Sequence, residues 1–211
     1  MRTILLLSIS IATLSALAAD RPKARTFTFE HDAAGAPPAD FAFARTVRGA
    51  EGKWTVELER GGKNHVLLQA SADKTDDRFP VAVVKNESFR DVTLTVRARP
   101  LTGEIDQGFG LVWRYRNADN YYITRCNALE DNCTIYHVID GSRRPFQNHS
   151  VKVARNAWHT LKMEARGSHF VVWFDGAKVL EARDDTFQSG EVGLWTKADS
   201  VIEFDDFTIA P

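Results

Sequence analysis

Two carboxylates stand at an i, i+2 spacing in Gly103-Glu104-Ile105-Asp106-Gln107-Gly108. On a β-strand, alternate residues project to one face, so Glu104 and Asp106 would sit side by side along a cleft. Glycoside hydrolysis needs such a pair, one carboxyl as acid and the other as nucleophile or base. The place where a partner carboxylate would complete the row is taken by Phe109. The segment therefore reads as a solvated acidic loop ahead of its strand before it reads as a catalytic pair. Glu130 and Asp199 are the remaining acid or base candidates.

A different chemistry needs no nucleophile. A sugar offers an apolar C–H face for stacking and vicinal hydroxyls for planar hydrogen-bonding forks. Trp113, Arg114, Tyr122, Arg125, Asn127, Trp195 and Lys197, with Glu130 and Asp199, are of the right types, and several fall at loop-proximal ends of the expected strands. The competing expectation is packing, because strand alternation must send half of these side chains inward. Trp54, Trp158 and one of Trp113 or Tyr115 are expected in the core, and Arg125 with Glu130 could equally brace a hairpin. Saccharide binding requires a hollow free of the chain's own side chains, with Trp113 and Trp195 open to solvent.

Metal chemistry has weaker support. None of the six histidines lies two or four residues from another, so no zinc or non-haem iron signature is present. A structural calcium is the better candidate: Glu30, Asp32, Asp205 and Asp206 would converge if the first and last strands lay together. The alternative is that these carboxylates are outward residues of edge strands.

These residues must be positioned by strands. Segments such as 108–115, 121–125, 133–139 and 169–176 are β-branched and aromatic and are bounded by turn residues. Further strands are expected at 26–30, 41–47, 53–59, 65–70, 80–85, 91–99, 158–166, 178–182, 191–196 and 201–209. Residues 31–40 and 100–106 read as loop or turn, 141–148 as loop and short strand, and 184–187 as a single helical turn. A dozen or more evenly spaced short strands predict an all-β sandwich or barrel.

The hairpin over 120–139 carries the two cysteines. A four-residue turn at Ala128 to Asp131 places Asn127 opposite Asn132 and Cys126 opposite Cys133. Directly opposed Cβ atoms are close enough to bridge, so a Cys126–Cys133 disulfide is expected.

An oxidised pair fits an exported protein. Met1-Arg2, the apolar run Ile4 to Leu17 and Ala16-Leu17-Ala18 read as a secretory signal peptide over 1–19, leaving one domain over 20–211. A secreted or periplasmic location follows, with no later stretch long and apolar enough to span a membrane. The chain has 27 Lys and Arg against 28 Asp and Glu, so no basic stripe argues for a nucleic-acid partner.

Larger motifs stand out. Leu-Val-Trp-Arg-Tyr-Arg-Asn-Ala-Asp-Asn-Tyr-Tyr (111–122), Arg-Cys-Asn-Ala-Leu-Glu-Asp-Asn (125–132), Trp-His-Thr-Leu-Lys-Met-Glu-Ala-Arg-Gly (158–167) and Gly-Leu-Trp-Thr-Lys-Ala-Asp-Ser (193–200) are four of them. The Phe-Asp-Gly turn (174–176) and the closing Phe-Asp-Asp-Phe (204–207) belong with them. Together they resemble the bacterial 3-keto-disaccharide hydrolase-like family of the concanavalin A-like lectin and glucanase superfamily. The resemblance implies a jelly roll of two curved antiparallel sheets, export, and a concave face suited to oligosaccharide or polysaccharide. An exported carbohydrate-binding module without catalysis of its own is the leading expectation. A glycoside or 3-keto-glycoside hydrolase and a laminin G-like protein-interaction module are the alternatives.

Overall fold

The computed structural model describes residues 23–211, so the expected signal peptide lies outside the described residues. Fifteen strands fill that span. They are β1 (Arg25–Phe27), β2 (Phe41–Val47), β3 (Trp54–Leu58), β4 (His65–Gln69), β5 (Arg78–Val84), β6 (Val92–Thr102), β7 (Gly108–Asn117) and β8 (Asn120–Asn127). They continue with β9 (Asn132–Ile139), β10 (Ser142–Ser150), β11 (His159–Arg166), β12 (His169–Phe174), β13 (Ala177–Arg183), β14 (Glu191–Thr196) and β15 (Val201–Ala210). Eight strands form one antiparallel sheet in the order β13-β12-β11-β6-β15-β4-β3, with β1 pairing β15 beyond the end of β4. The other seven run β10-β9-β8-β7-β14-β5-β2. The expected two-sheet, all-β jelly roll is what forms.

Strand alternation decides what each sheet hides. In β6, Val92, Leu94, Val96 and Ala98 are buried between the sheets while Thr93, Thr95 and Arg97 face out. In β7, Phe109, Leu111 and Trp113 enter that same core, joined by Tyr122, Cys126 and Ile135 from β8 and β9. The predicted hairpin register holds, with Cys126 opposite Cys133 and Asn127 opposite Asn132, and the disulfide is formed.

Three segments depart from expectation. Residues 142–150 form a full strand in place of loop and short strand; Pro145 is tolerated because β10 is an edge strand bulged at that point. The expected turn at 100–106 starts late, since β6 runs on to Thr102 against β15. No helical turn forms at 184–187, where Asp184 instead accepts a hydrogen bond from the Tyr122 hydroxyl and Phe187 buries its ring.

The seven-stranded sheet carries a second apolar layer on its outer face. Phe79, Val81 and Val83 of β5, Val112 of β7, Tyr121 and Ile123 of β8, Tyr136 and Val138 of β9 and Trp195 of β14 form one buried cluster there. A flat sheet would hold β10 and β5 about 24 Å apart, five strand spacings. Yet the Arg143 guanidinium of β10 lies 4.5 Å from the Tyr136 ring centroid, 5.5 Å from that of Trp195 and 4.6 Å from that of Phe79. The sheet must therefore curl round its outer face, making that face the hollow of the sandwich.

Candidate functional site

One end of this hollow is charged. β8 ends in Arg125 and Asn127, β9 begins at Asn132, and the strand β14 leads into Lys197. Asp106 arrives from the loop before β7. Its carboxylate accepts from Asn127 Nδ2 at 2.9 Å through Oδ1 and lies 3.1 Å from Lys197 Nζ through Oδ2. Lys197 also donates to Asp76 at 2.6 Å. Arg125 is held on three sides: Nη2 donates to Glu130 at 2.7 Å and to the Tyr136 hydroxyl at 2.9 Å, and Nη1 donates to Asn132. Outward-facing Gly110 lies between Arg125 and Trp195 in the ladder, and a Cβ there would meet the Thr124 carbonyl at 2.5 Å.

The two carboxylates here are tuned apart. Burial pushes the Asp106 carboxyl up, with Lys197 and Arg125 opposing the rise. Burial also acts on Glu130, but the Arg125 guanidinium outweighs it and holds that carboxyl below its usual range.

Several expected contacts are corrected. Trp113 and Trp195 are both 0% exposed. Trp113 stacks on Tyr122 between the sheets, and Tyr122 is likewise buried. Trp195 stacks on Phe79 under Arg143. Neither tryptophan has a free face, and the hollow beside Trp195 is filled by Phe79, Tyr136 and Arg143, so the condition set by the sequence, an open hollow with both rings exposed to a sugar, is not met. Arg114 is buried too, its guanidinium donating to the carbonyls of Phe187, Arg90 and Gly167, which ties three loops together. Asn127 is buried against Asp106 and the Leu129 amide.

Asp199 is a loop organiser. Its carboxylate accepts from the backbone amides of Glu104, Ile105 and Asp106 at 2.7–3.0 Å. Burial raises its pKa, but those three N–H groups more than reverse the effect and hold it low. Glu104 points away and pairs with Lys74 at the surface, so the i, i+2 pair does not share a cleft.

The calcium expectation is also corrected. β1 and β15 do pair, but among the described residues no group of three or more Asp, Glu, His or Cys could hold a metal. Asp205 and Asp206 instead lie 3.5 and 3.2 Å from Arg97, and Glu30 accepts the His65 amide.

Sequence reasoning missed Arg143, Tyr136 and Phe79, which close over the hollow. It also missed a cleft of about 270 Å³ on the outer face of the eight-stranded sheet, lined by Thr95, Thr160, Lys162, Trp173 and Gly176. Lys162 Nζ sits 4.5 Å over the Trp173 ring there. The signal for that cleft was available: β11 and β12 alternate, and Lys162 and Trp173 fall opposite one another on the outward register. Among the described residues, the large apolar side chains left exposed are Val47, Leu58 and Ile105, on three separate segments.

Residues 46–210 match the family described as the 3-keto-alpha-glucoside-1,2-lyase-like domain. The chain belongs to that family. Levanase from Bacillus subtilis is 27% identical over 79 residues, which is 37% of this chain and 12% of the enzyme. The chain thus spans a small fraction of that relative. Among solved structures, the carbohydrate-binding module CBM66 from Bacillus subtilis superposes with a TM-score of 0.63 at 20% identity, covering 80% of this chain and 95% of the module. A GH43 protein from Bacillus licheniformis gives 0.59 at 16% identity over 88% of this chain and 39% of its own. At these identities the likeness speaks for the shared sandwich. Within it, no helix among the described residues is long and apolar enough to cross a membrane.

Proposed function

We propose that this domain binds saccharide at the charged end of its hollow through hydrogen-bonding forks, a mode that replaces the open, tryptophan-lined hollow expected from the sequence, which does not form. The observation that carries this is Arg125: a nearly buried guanidinium locked by Glu130, Asn132 and Tyr136 is pre-organised, so little side-chain freedom is lost when a ligand docks. Asp106, Lys197 and Glu130 beside it offer both acceptors and donors, which vicinal hydroxyls require. The family's name, the CBM66 superposition and the levanase similarity all belong to carbohydrate proteins and favour the same ligand class. Export is part of this proposal, supported by the expected leader and by the disulfide. Among the described residues the exposed large apolar side chains are scattered, which gives the protein-interaction alternative no support.

The test is a glycan array that includes levan and xylan, alongside a hydrolysis screen that includes 3-keto-disaccharides. Binding without turnover is the expected result, lost in Arg125→Met. Absence of any glycan binding would overturn the proposal.

One observation favours an enzymatic reading. Burial raises the Asp106 pKa while Arg125 holds that of nearby Glu130 down, and such a divergence is how acid and base are assigned. Turnover of a glycoside or 3-keto-glycoside abolished by Glu130→Gln and by Asp106→Asn would establish it.

A further inference from the structure

Three basic side chains face the hollow, and two of them have carboxylate partners. Arg125 pairs with Glu130, and Lys197 with Asp76 and Asp106. Among the described residues, Arg143 has neither an ion pair nor a side-chain hydrogen bond to its guanidinium. Its Nη1 is sealed from solvent with no acceptor in reach, and so is Nε of Arg125. Both guanidinium groups lie over the same ring, Arg143 at 4.5 Å and Arg125 at 5.7 Å from the Tyr136 centroid. Burial lowers the pKa of Arg143, as expected of a cation taken out of water without a counter-ion.

Cation–π contact with three rings offsets part of that cost, but it leaves the in-plane N–H groups unused. A buried donor without an acceptor is costly, and a buried charge without a partner more so. The chemistry that would satisfy these donors is definite: an anion whose oxygens can accept from the Arg143 fork and from Arg125 Nε.

We infer that the saccharide recognised in this hollow is anionic, its carboxylate or sulfate ester pairing with Arg143. The inference rests on the saccharide-binding reading above and names the ligand class of that site. Arg143 is half-buried on an edge strand whose neighbours Ser142, Arg144 and Pro145 are exposed, so its side chain enters the hollow from the rim, where a ligand would have to displace little of the fold.

The experiment is affinity electrophoresis of the whole exported domain in gels holding polygalacturonate, its fully methyl-esterified form, dextran sulfate or dextran. The two members of each pair share a backbone and differ in charge. Retardation by a charged member at least tenfold stronger than by its neutral counterpart is expected. Retardation by polygalacturonate assigns a carboxylate, by dextran sulfate a sulfate, and by both an unselective anion site. Arg143→Gln is expected to lower retardation by the charged member at least tenfold, to the level of its neutral counterpart. Arg143→Lys, which keeps the charge and loses the fork, should recover part of it. Thermal unfolding of each variant separates loss of ligand from loss of fold, and removal of an unpaired cation should leave the midpoint unchanged or higher. Equal retardation by charged and neutral members, or a preference undiminished in folded Arg143→Gln, overturns the inference while leaving saccharide binding intact. No retardation by any of the four polymers overturns the inference alone where the array shows a neutral glycan bound, and overturns both where the array shows none.

Discussion

Lys197 Nζ lies 3.1 Å from Asp106 Oδ2, and the carboxylate is only 1% exposed. The lysine is the cation nearest to a buried carboxyl that Asn127 reaches only through its other oxygen. Removing it should therefore strand a buried charge.

Lys197→Met is expected to cost about 3 kcal/mol at pH 7, the scale seen when one partner of a buried pair is deleted. The loss should shrink toward pH 5, because burial already raises the Asp106 pKa and, without the lysine, the carboxyl can take up a proton and shed its charge. Urea unfolding at the two pH values checks this, and an equal loss at both would contradict it.

Asp199→Ala leaves three backbone donors of the loop before β7 without an acceptor. A destabilisation of about 3 kcal/mol is expected, together with weaker saccharide binding because Asp106 loses its anchor. The pH profile of any activity should keep its shape. A displaced profile in a stably folded variant would assign Asp199 a proton-transfer role that its geometry denies.

Asp205 is nearly buried, and burial raises its pKa from 3.8 to about 6. Since the folded value exceeds the unfolded one, its contribution to stability is fully present below about pH 3.8 and is lost as pH rises through about 6. Asp205→Asn should match the parent protein near pH 4 and exceed it near pH 8 by about 2 kcal/mol. Chemical denaturation across that window measures the difference, and coincident curves would refute the assignment.

The Cys126–Cys133 bridge closes a loop of sequence separation 7. By loop entropy it contributes about 2 kcal/mol, so a reductant should lower the urea midpoint accordingly without unfolding the domain at 25 °C. Complete unfolding on reduction would mean that the hairpin depends on the bridge.

The strands and the hairpin register were readable in the sequence because both are local: alternation marks a face, and turn length fixes which residues oppose. Trp113 was ambiguous for the same reason, since alternation says that a residue shares a face with its second neighbours but not which face is covered. Trp195 does point away from the main core, as a ligand-facing residue would. It is buried because the sheet curls and brings β10 over it, and curvature is a sum over seven strands that no single segment announces. Arg143 was hidden more deeply. It sits beside Pro145 in a stretch that reads as loop, and its partners lie on β5, β9 and β14.

The claim on which the account turns is that ligand enters the hollow of the seven-stranded sheet. Backbone amide chemical shifts, followed while the glycan bound most tightly on the array is titrated in, test it most directly. Perturbations centred on Gly110, Arg125, Tyr136, Arg143 and Lys197 are predicted. Perturbations centred instead on Thr95, Thr160, Lys162 and Trp173 would place the ligand on the opposite face of the sandwich and contradict the account.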